Sequence, residues 1–99
     1  MQYLLLGYDG TDTEALSRRM AARPAHLERA GKMKAEGKQL FGAAILDDEE
    51  RMIGSVMVYE CSSRAELDEW LTAEPYITGD VWKEIEIKPC RVAAANTQR

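Results

Sequence analysis

The sequence predicts an α+β fold of the ferredoxin-like kind, βαββαβ, in which an antiparallel four-stranded sheet carries two helices on one face. Three observations lead there. A short apolar strand is followed by a long stretch with apolar residues at helical spacing; a pair of apolar strands flanks a charged turn; and a second capped helix precedes a strand of alternating polarity. The 99 residues allow one domain with a modest core.

Tyr3 to Tyr8 is rich in Leu and Tyr and runs into Asp9-Gly10, which reads as a first strand and its turn. Thr11 is the expected N-cap of the first helix, with Glu14 placed to complete a capping box. Leu16, Met20, Leu27, Ala30 and Met33 form the expected core-facing stripe. Pro24 interrupts it, so the helix is expected to kink or restart there, with Arg23 at the junction and His26 close to the new start. Gly37 suits the position just past the helix end, with Lys32, Lys34 and Lys38 around it. Gln39 to Leu46 and Met52 to Glu60 form a hairpin across the charged turn at 47–51. Ser63 and Glu66 open a second helix with Leu67, Trp70 and Leu71 on its apolar face, and Pro75 is expected to end it. Val81 to Lys88 completes the sheet with one wet face, so residues 1–90 form the expected domain and 91–99 a loosely ordered tail.

Two helices cover one face of such a sheet, yet the first three strands are apolar on both. A monomer would expose the second face as a large apolar patch, which points to a homodimer with sheets packed face to face, a dimeric α+β barrel of C2 symmetry. A net charge of −4 argues against a nucleic-acid binder. Leu4-Leu5-Leu6 is too short for a signal peptide or membrane span, so a cytoplasmic protein with no membrane partner is expected. Cys61 and Cys90 belong to no paired motif and read as free thiols.

The stretch from Arg19 to Leu27 carries the chemistry. It holds the only histidine, His26, beside Arg19 and Arg23, and histidine is the side chain suited to proton transfer near neutral pH. The plainer reading makes His26 a structural helix residue and the arginines surface cations. With one histidine and no Cys–His spacing, a metal site is not expected, and without glycine-rich phosphate or dinucleotide loops neither is a cofactor.

Tyr8-Asp9, Arg19 and Arg23 leading into His26-Leu27, Gly37, Leu40 with Gly42, Gly54-Ser55, and Glu74-Pro75-Tyr76 with Lys88-Pro89 together resemble the YciI-like (YCII-related) family. The resemblance covers the chain to about Pro89. It implies ferredoxin-like dimeric barrels and, from the family's best-understood enzyme type, a dehydrochlorinase acting on a chlorinated hydroxyhydroquinone through a His–Asp pair. By position, the family histidine falls on His26 and its Asp-Pro-Tyr element on Glu74-Pro75-Tyr76; Asp9 matches the family's acidic residue without substitution. The family's Gly-Pro has become Gly42-Ala43.

The resulting expectation is cofactor-independent proton transfer, elimination or isomerisation, on a small anionic or phenolic molecule. His26 acts as general acid/base, Asp9 or Glu74 orients it, Arg19 and Arg23 hold an oxyanion, and Ser55 supplies a neutral hydrogen bond beside Tyr76. Ser55 also reads as an ordinary strand residue, and Tyr76 and Trp82 as packing residues with a satisfied polar tip. The rival function is a small-molecule-binding or regulatory dimer on the same scaffold.

Overall fold

The computed structural model describes residues 1–93. Its elements run β1 (Gln2–Asp9), α1 (Ala15–Ala35), β2 (Gln39–Leu46), β3 (Met52–Glu60), α2 (Arg64–Leu71), α3 (Pro75–Thr78) and β4 (Trp82–Cys90). The strands form one antiparallel sheet in the order β2-β3-β1-β4, the ferredoxin-like arrangement. Most of the tail expected at 91–99 lies outside the described residues.

Strand register decides what each face of the sheet meets. Leu5 pairs with Met57 and Gly7 with Ser55, while Gly42 and Ala44 of β2 lie opposite the same two β3 residues. This face carries the helices: Met33, Leu67, Leu71 and Tyr76 pack in one cluster with Tyr3, Leu5, Met57 and Tyr59. On the other face Leu4 and Leu6 pair with Val58 and Val56, which lie opposite Phe41 and Ala43 of β2. There β4 adds Glu84, Glu86, Lys88 and Cys90, so the uncovered face is apolar across three strands and mostly charged on the fourth.

Several boundaries differ from expectation. The first helix is capped by Glu14, not Thr11, and it is the Asp12 side chain that accepts from the Glu14 N–H, at 3.2 Å. Helix α1 runs unbroken through Pro24, which is exposed; the carbonyl its ring leaves unbonded, that of exposed Met20, lies on the wet side of the helix. His26 therefore sits mid-helix and not near a start. The apolar stripe is also displaced: Leu16, Met20 and Leu27 are 42–49% exposed, and the buried line of α1 is Arg19, His26 and Met33.

The helix ends follow their local chemistry closely. Gly37 adopts φ 75°, with Gly37 N–H donating to Lys34 O and Lys38 N–H to Met33 O, a Schellman closure. Ser63 Oγ accepts from Glu66 N–H, and Glu66 Oε1 returns to Ser62. Helix α2 ends at Leu71, and Pro75 begins a further turn, α3, as its first residue. Strand β4 extends to Cys90 because Pro89 is tolerated on an edge strand.

One close approach sets the position of an aromatic wall. The register slips at Tyr8/Asp9, pairing Asp9 with Trp82, and the indole lies flat on Gly7, where a Cβ would stand 2.5 Å from Trp82 Cδ2. Gly7→Ala is expected to displace Trp82 and cost about 1–3 kcal/mol as overpacking, read as a lower urea midpoint with an unchanged slope.

Candidate active site

Residues seven apart on an α-helix return to nearly the same side after two turns. Arg19 and His26 are so related, and α1 lays both against the sheet, at 2% and 6% exposure. Arg23 stands one turn from Arg19 along the same side. A polar group buried this deeply is costly unless it finds a partner, and the fold supplies one for each.

His26 Nδ1 lies 2.6 Å from Glu74 Oε2. Glu74 is itself 3% exposed and holds its position as the N-cap of α3, where Oε2 also accepts from the Tyr76 N–H at 2.9 Å. With Nδ1 donating to this carboxylate, the tautomer that remains leaves Nε2 as the unprotonated nitrogen. The imidazole stacks on the Tyr76 ring, centroids 3.9 Å apart and 13° from parallel, with Trp82 edge-on at 6.4 Å. The ring is thus fixed by a hydrogen bond in its plane and an aromatic face against it.

Asp9, the other expected partner of His26, is engaged elsewhere. Arg19 Nη1 donates to both of its carboxylate oxygens, at 2.9 and 3.1 Å, and Arg19 Nη2 donates to Ser55 Oγ at 2.9 Å. Burial pushes the Asp9 carboxyl up from its ordinary value, and Arg19 pulls it back. The Arg19 guanidinium also lies 4.6 Å from the Tyr76 ring centroid. Burial raises the Tyr76 phenol as well, against the pull of Arg19 and Arg23.

Ser55 Oγ accepts a second hydrogen bond, from Trp82 Nε1 at 3.2 Å. Both of its lone pairs are then occupied, so the hydroxyl can act only as a donor, and it has no base to make it a nucleophile. Trp82, read from the sequence as a packing residue, is what completes this arrangement.

These groups open on one cleft of about 560 Å³ between α1 and the β2–β3 edge of the sheet. Arg19, Arg23, His26, Ser55 and Tyr76 line it; Asp9 and Glu74 stand behind the wall. Among the described residues no carboxylate lines it, whereas Lys34 joins the arginines, so the cleft is electropositive in a protein of net negative charge. Gln39 and Lys34 are lining residues that the sequence did not single out; the one signal for Gln39 is a polar residue at the head of an otherwise apolar strand. Among the described residues, no group of three or more His, Cys, Asp or Glu is placed to hold a metal ion, and no helix is long and apolar enough to cross a membrane.

The fold and the site together define a ferredoxin-like α+β protein with a carboxylate-anchored histidine on the wall of an anion-attracting cleft. The YCII-related domain family matches residues 1–91, and the chain belongs to that family. It is 28% identical over 95 residues to the protein YciI of Escherichia coli, covering 90% of this chain and 95% of that one. An uncharacterized protein of Haemophilus influenzae is 26% identical over the same shares. In structure it is similar to the 5-chloro-2-hydroxyhydroquinone dehydrochlorinase of Burkholderia phenoliruptrix in complex with 2,5-dihydroxybenzoquinone, with a TM-score of 0.79 at 22% identity over 97% of this chain and 99% of that one. A dimeric ferredoxin-like protein from Jannaschia gives 0.56 at 15% identity over 92% and 98%. At these identities the structural likenesses establish the fold.

Removal of the Glu74 carboxylate tests the anchoring. Glu74→Ala strips the α3 cap, about 1 kcal/mol, and leaves a buried imidazole N–H unpartnered, about 1–3 kcal/mol. Glu74→Gln retains an oxygen able to accept both bonds, so its urea midpoint is expected to fall less than half as far.

Proposed function

We propose that the chain is a cofactor-independent enzyme of small oxygen-bearing organic molecules, catalysing proton transfer of the elimination or isomerisation type. The observation that carries this reading is the 2.6 Å contact between His26 Nδ1 and Glu74 on the wall of a cleft lined by cations. His26 Nε2 takes a proton from a hydroxyl or an acidic carbon of the substrate, and Glu74 steadies the imidazolium that results. The electron pair left behind becomes a phenolate or enolate. In an elimination it moves on to expel the leaving group; in an isomerisation His26 returns the proton to another atom.

The developing oxyanion is met by Ser55 O–H, which has no other role open to it, and by Arg23. Arg19, whose Nη donors are committed to Asp9 and Ser55, contributes by aiming that hydroxyl, and Tyr76 holds the imidazole plane. The similarity to a dehydrochlorinase crystallised with 2,5-dihydroxybenzoquinone supports a phenolic or quinonoid substrate class. The free thiols Cys61 and Cys90 fit a reducing compartment, and we place the reaction in the cytoplasm.

His26→Asn is expected to lower turnover of a chlorinated hydroxyhydroquinone at least a hundredfold while the far-UV spectrum is unchanged, since a general acid/base contributes about 10²–10⁴. Turnover that survives the substitution overturns the role of His26. Binding by the unaltered protein without chloride release or isomerised product favours a regulatory module instead.

The second face of the sheet supports a homodimer. Phe41 is 54% exposed and, with exposed Ala43 and half-buried Val56, Leu4 and Leu6, forms an apolar surface around the buried Val58 that a facing copy would cover. Sedimentation equilibrium at micromolar concentration is expected to give a dimer and Phe41→Asp a monomer; a monomeric unaltered protein overturns this assembly.

A further inference from the structure

The cleft has a second polar end, and nothing in the proton-transfer scheme uses it. Gln39 is 6% exposed and lines the cleft. The hydrogen bonds of the cleft wall run from Arg19 and Trp82 to Ser55 and from His26 to Glu74, and none reaches the Gln39 amide. Nor is that amide sealed in the core: the fully enclosed side-chain atoms lacking a partner are Arg18 Nε and Arg19 Nε. An amide that is nearly buried, has no partner among the described residues and opens toward a cleft is placed to bond what enters it.

Gly42 makes this placement possible. A Cβ there would stand 2.9 Å from Gln39 Nε2, so the amide lies against bare backbone at the cleft floor. Gly42 pairs with Met57 and Ala44 with Ser55, so the amide over Gly42 and the Ser55 hydroxyl stand at successive positions on the same face of the strand pair. Two residues of β3 separate Met57 from Ser55, about 7 Å at the usual strand rise. A single ring lying over that step, with one oxygen function toward each group, reaches both with hydrogen bonds of about 2.8 Å. Lys34, another lining residue, is seven residues from Leu27 on the same side of α1 and adds positive charge to the cleft.

Resting on the proton-transfer reading above, we infer that Gln39, seated on Gly42, is a specificity-determining residue that binds a second oxygen function of the substrate. The preferred substrate class is then a ring carrying hydroxyl or oxo groups on opposite edges. One edge meets Ser55, Arg23 and His26. The other meets the Gln39 amide, which can donate to an oxyanion or carbonyl and accept from a hydroxyl. A site built this way rejects an analogue lacking the second oxygen, because the amide is then desolvated with nothing to bond.

The test compares two probes, 2,5-dihydroxybenzoquinone and catechol, whose two oxygens both lie on one edge of the ring, titrated against the full chain by absorbance and calorimetry. Gln39→Leu is expected to weaken the first probe at least tenfold and the second less than threefold. Gly42→Ala displaces the amide without removing it and is expected to move the ratio the same way by a smaller factor, with the unfolding midpoint unchanged. Equal losses for both probes, or none for either, overturn the role of Gln39 while leaving the His26 reading intact. An unaltered protein that binds neither probe overturns the quinonoid substrate class and this inference together.

Discussion

The interior of this protein is organised by polar residues that one helix forces into it. Helix α1 turns Arg19 and His26 toward the sheet along the same line as Met33, and neither polar group can be left unpartnered there without a cost of several kcal/mol. Each demand recruits a different part of the chain. Arg19 takes Asp9 from the end of β1 and Ser55 from the middle of β3; His26 takes Glu74 from the cap of α3. The contacts that make the core permissible are the same ones that aim a hydroxyl and an imidazole nitrogen at the cleft.

The aromatic residues give that network its rigidity. Trp82 lies flat on Gly7 because a bulge in the β1–β4 pairing brings it there, and its indole N–H closes the coordination of Ser55 Oγ. Tyr76 is held by the backbone of α3 and lies between the imidazole on one side and the Arg19 guanidinium on the other. Two cationic or potentially cationic groups thus share one ring, and neither needs solvent to fix its orientation. Removing either aromatic loosens both halves of the site at once.

Much of this was legible in the residues alone, and the omissions share a cause. The strand order, the Gly37 closure and the Ser63 cap follow from turn chemistry and period-two alternation, which are local signals. The pairing of His26 with a carboxylate was legible as a choice between Asp9 and Glu74; the choice itself depends on tertiary register, because Asp9 is claimed by Arg19. The error in α1 arose from counting only apolar residues as core. Leu16, Met20 and Leu27 have helical spacing but face outward or line the cleft, and the true inward line passes through an arginine and a histidine. Pro24 compounded it, since a proline inside a helix is disruptive only where its lost hydrogen bond cannot be replaced by water. Trp82 gave no local signal and Gln39 only that of a polar residue heading an apolar strand, as their roles exist only once β2 and β4 are placed.

Glu74 ties two elements of the site together through one side chain. An aspartate is the better helix cap, because its short side chain turns directly back onto the first N–H groups. Glu74 caps α3 all the same, with the extra methylene letting a single oxygen reach both the Tyr76 N–H and the imidazole. That oxygen accepts two donors from different elements, so the position of α3 and the tautomer of His26 are set by one atom. Shortening the side chain would retain the cap and draw the oxygen away from His26 unless α3 moved inward. The length of the glutamate side chain is therefore matched to the distance between α1 and α3 in this chain.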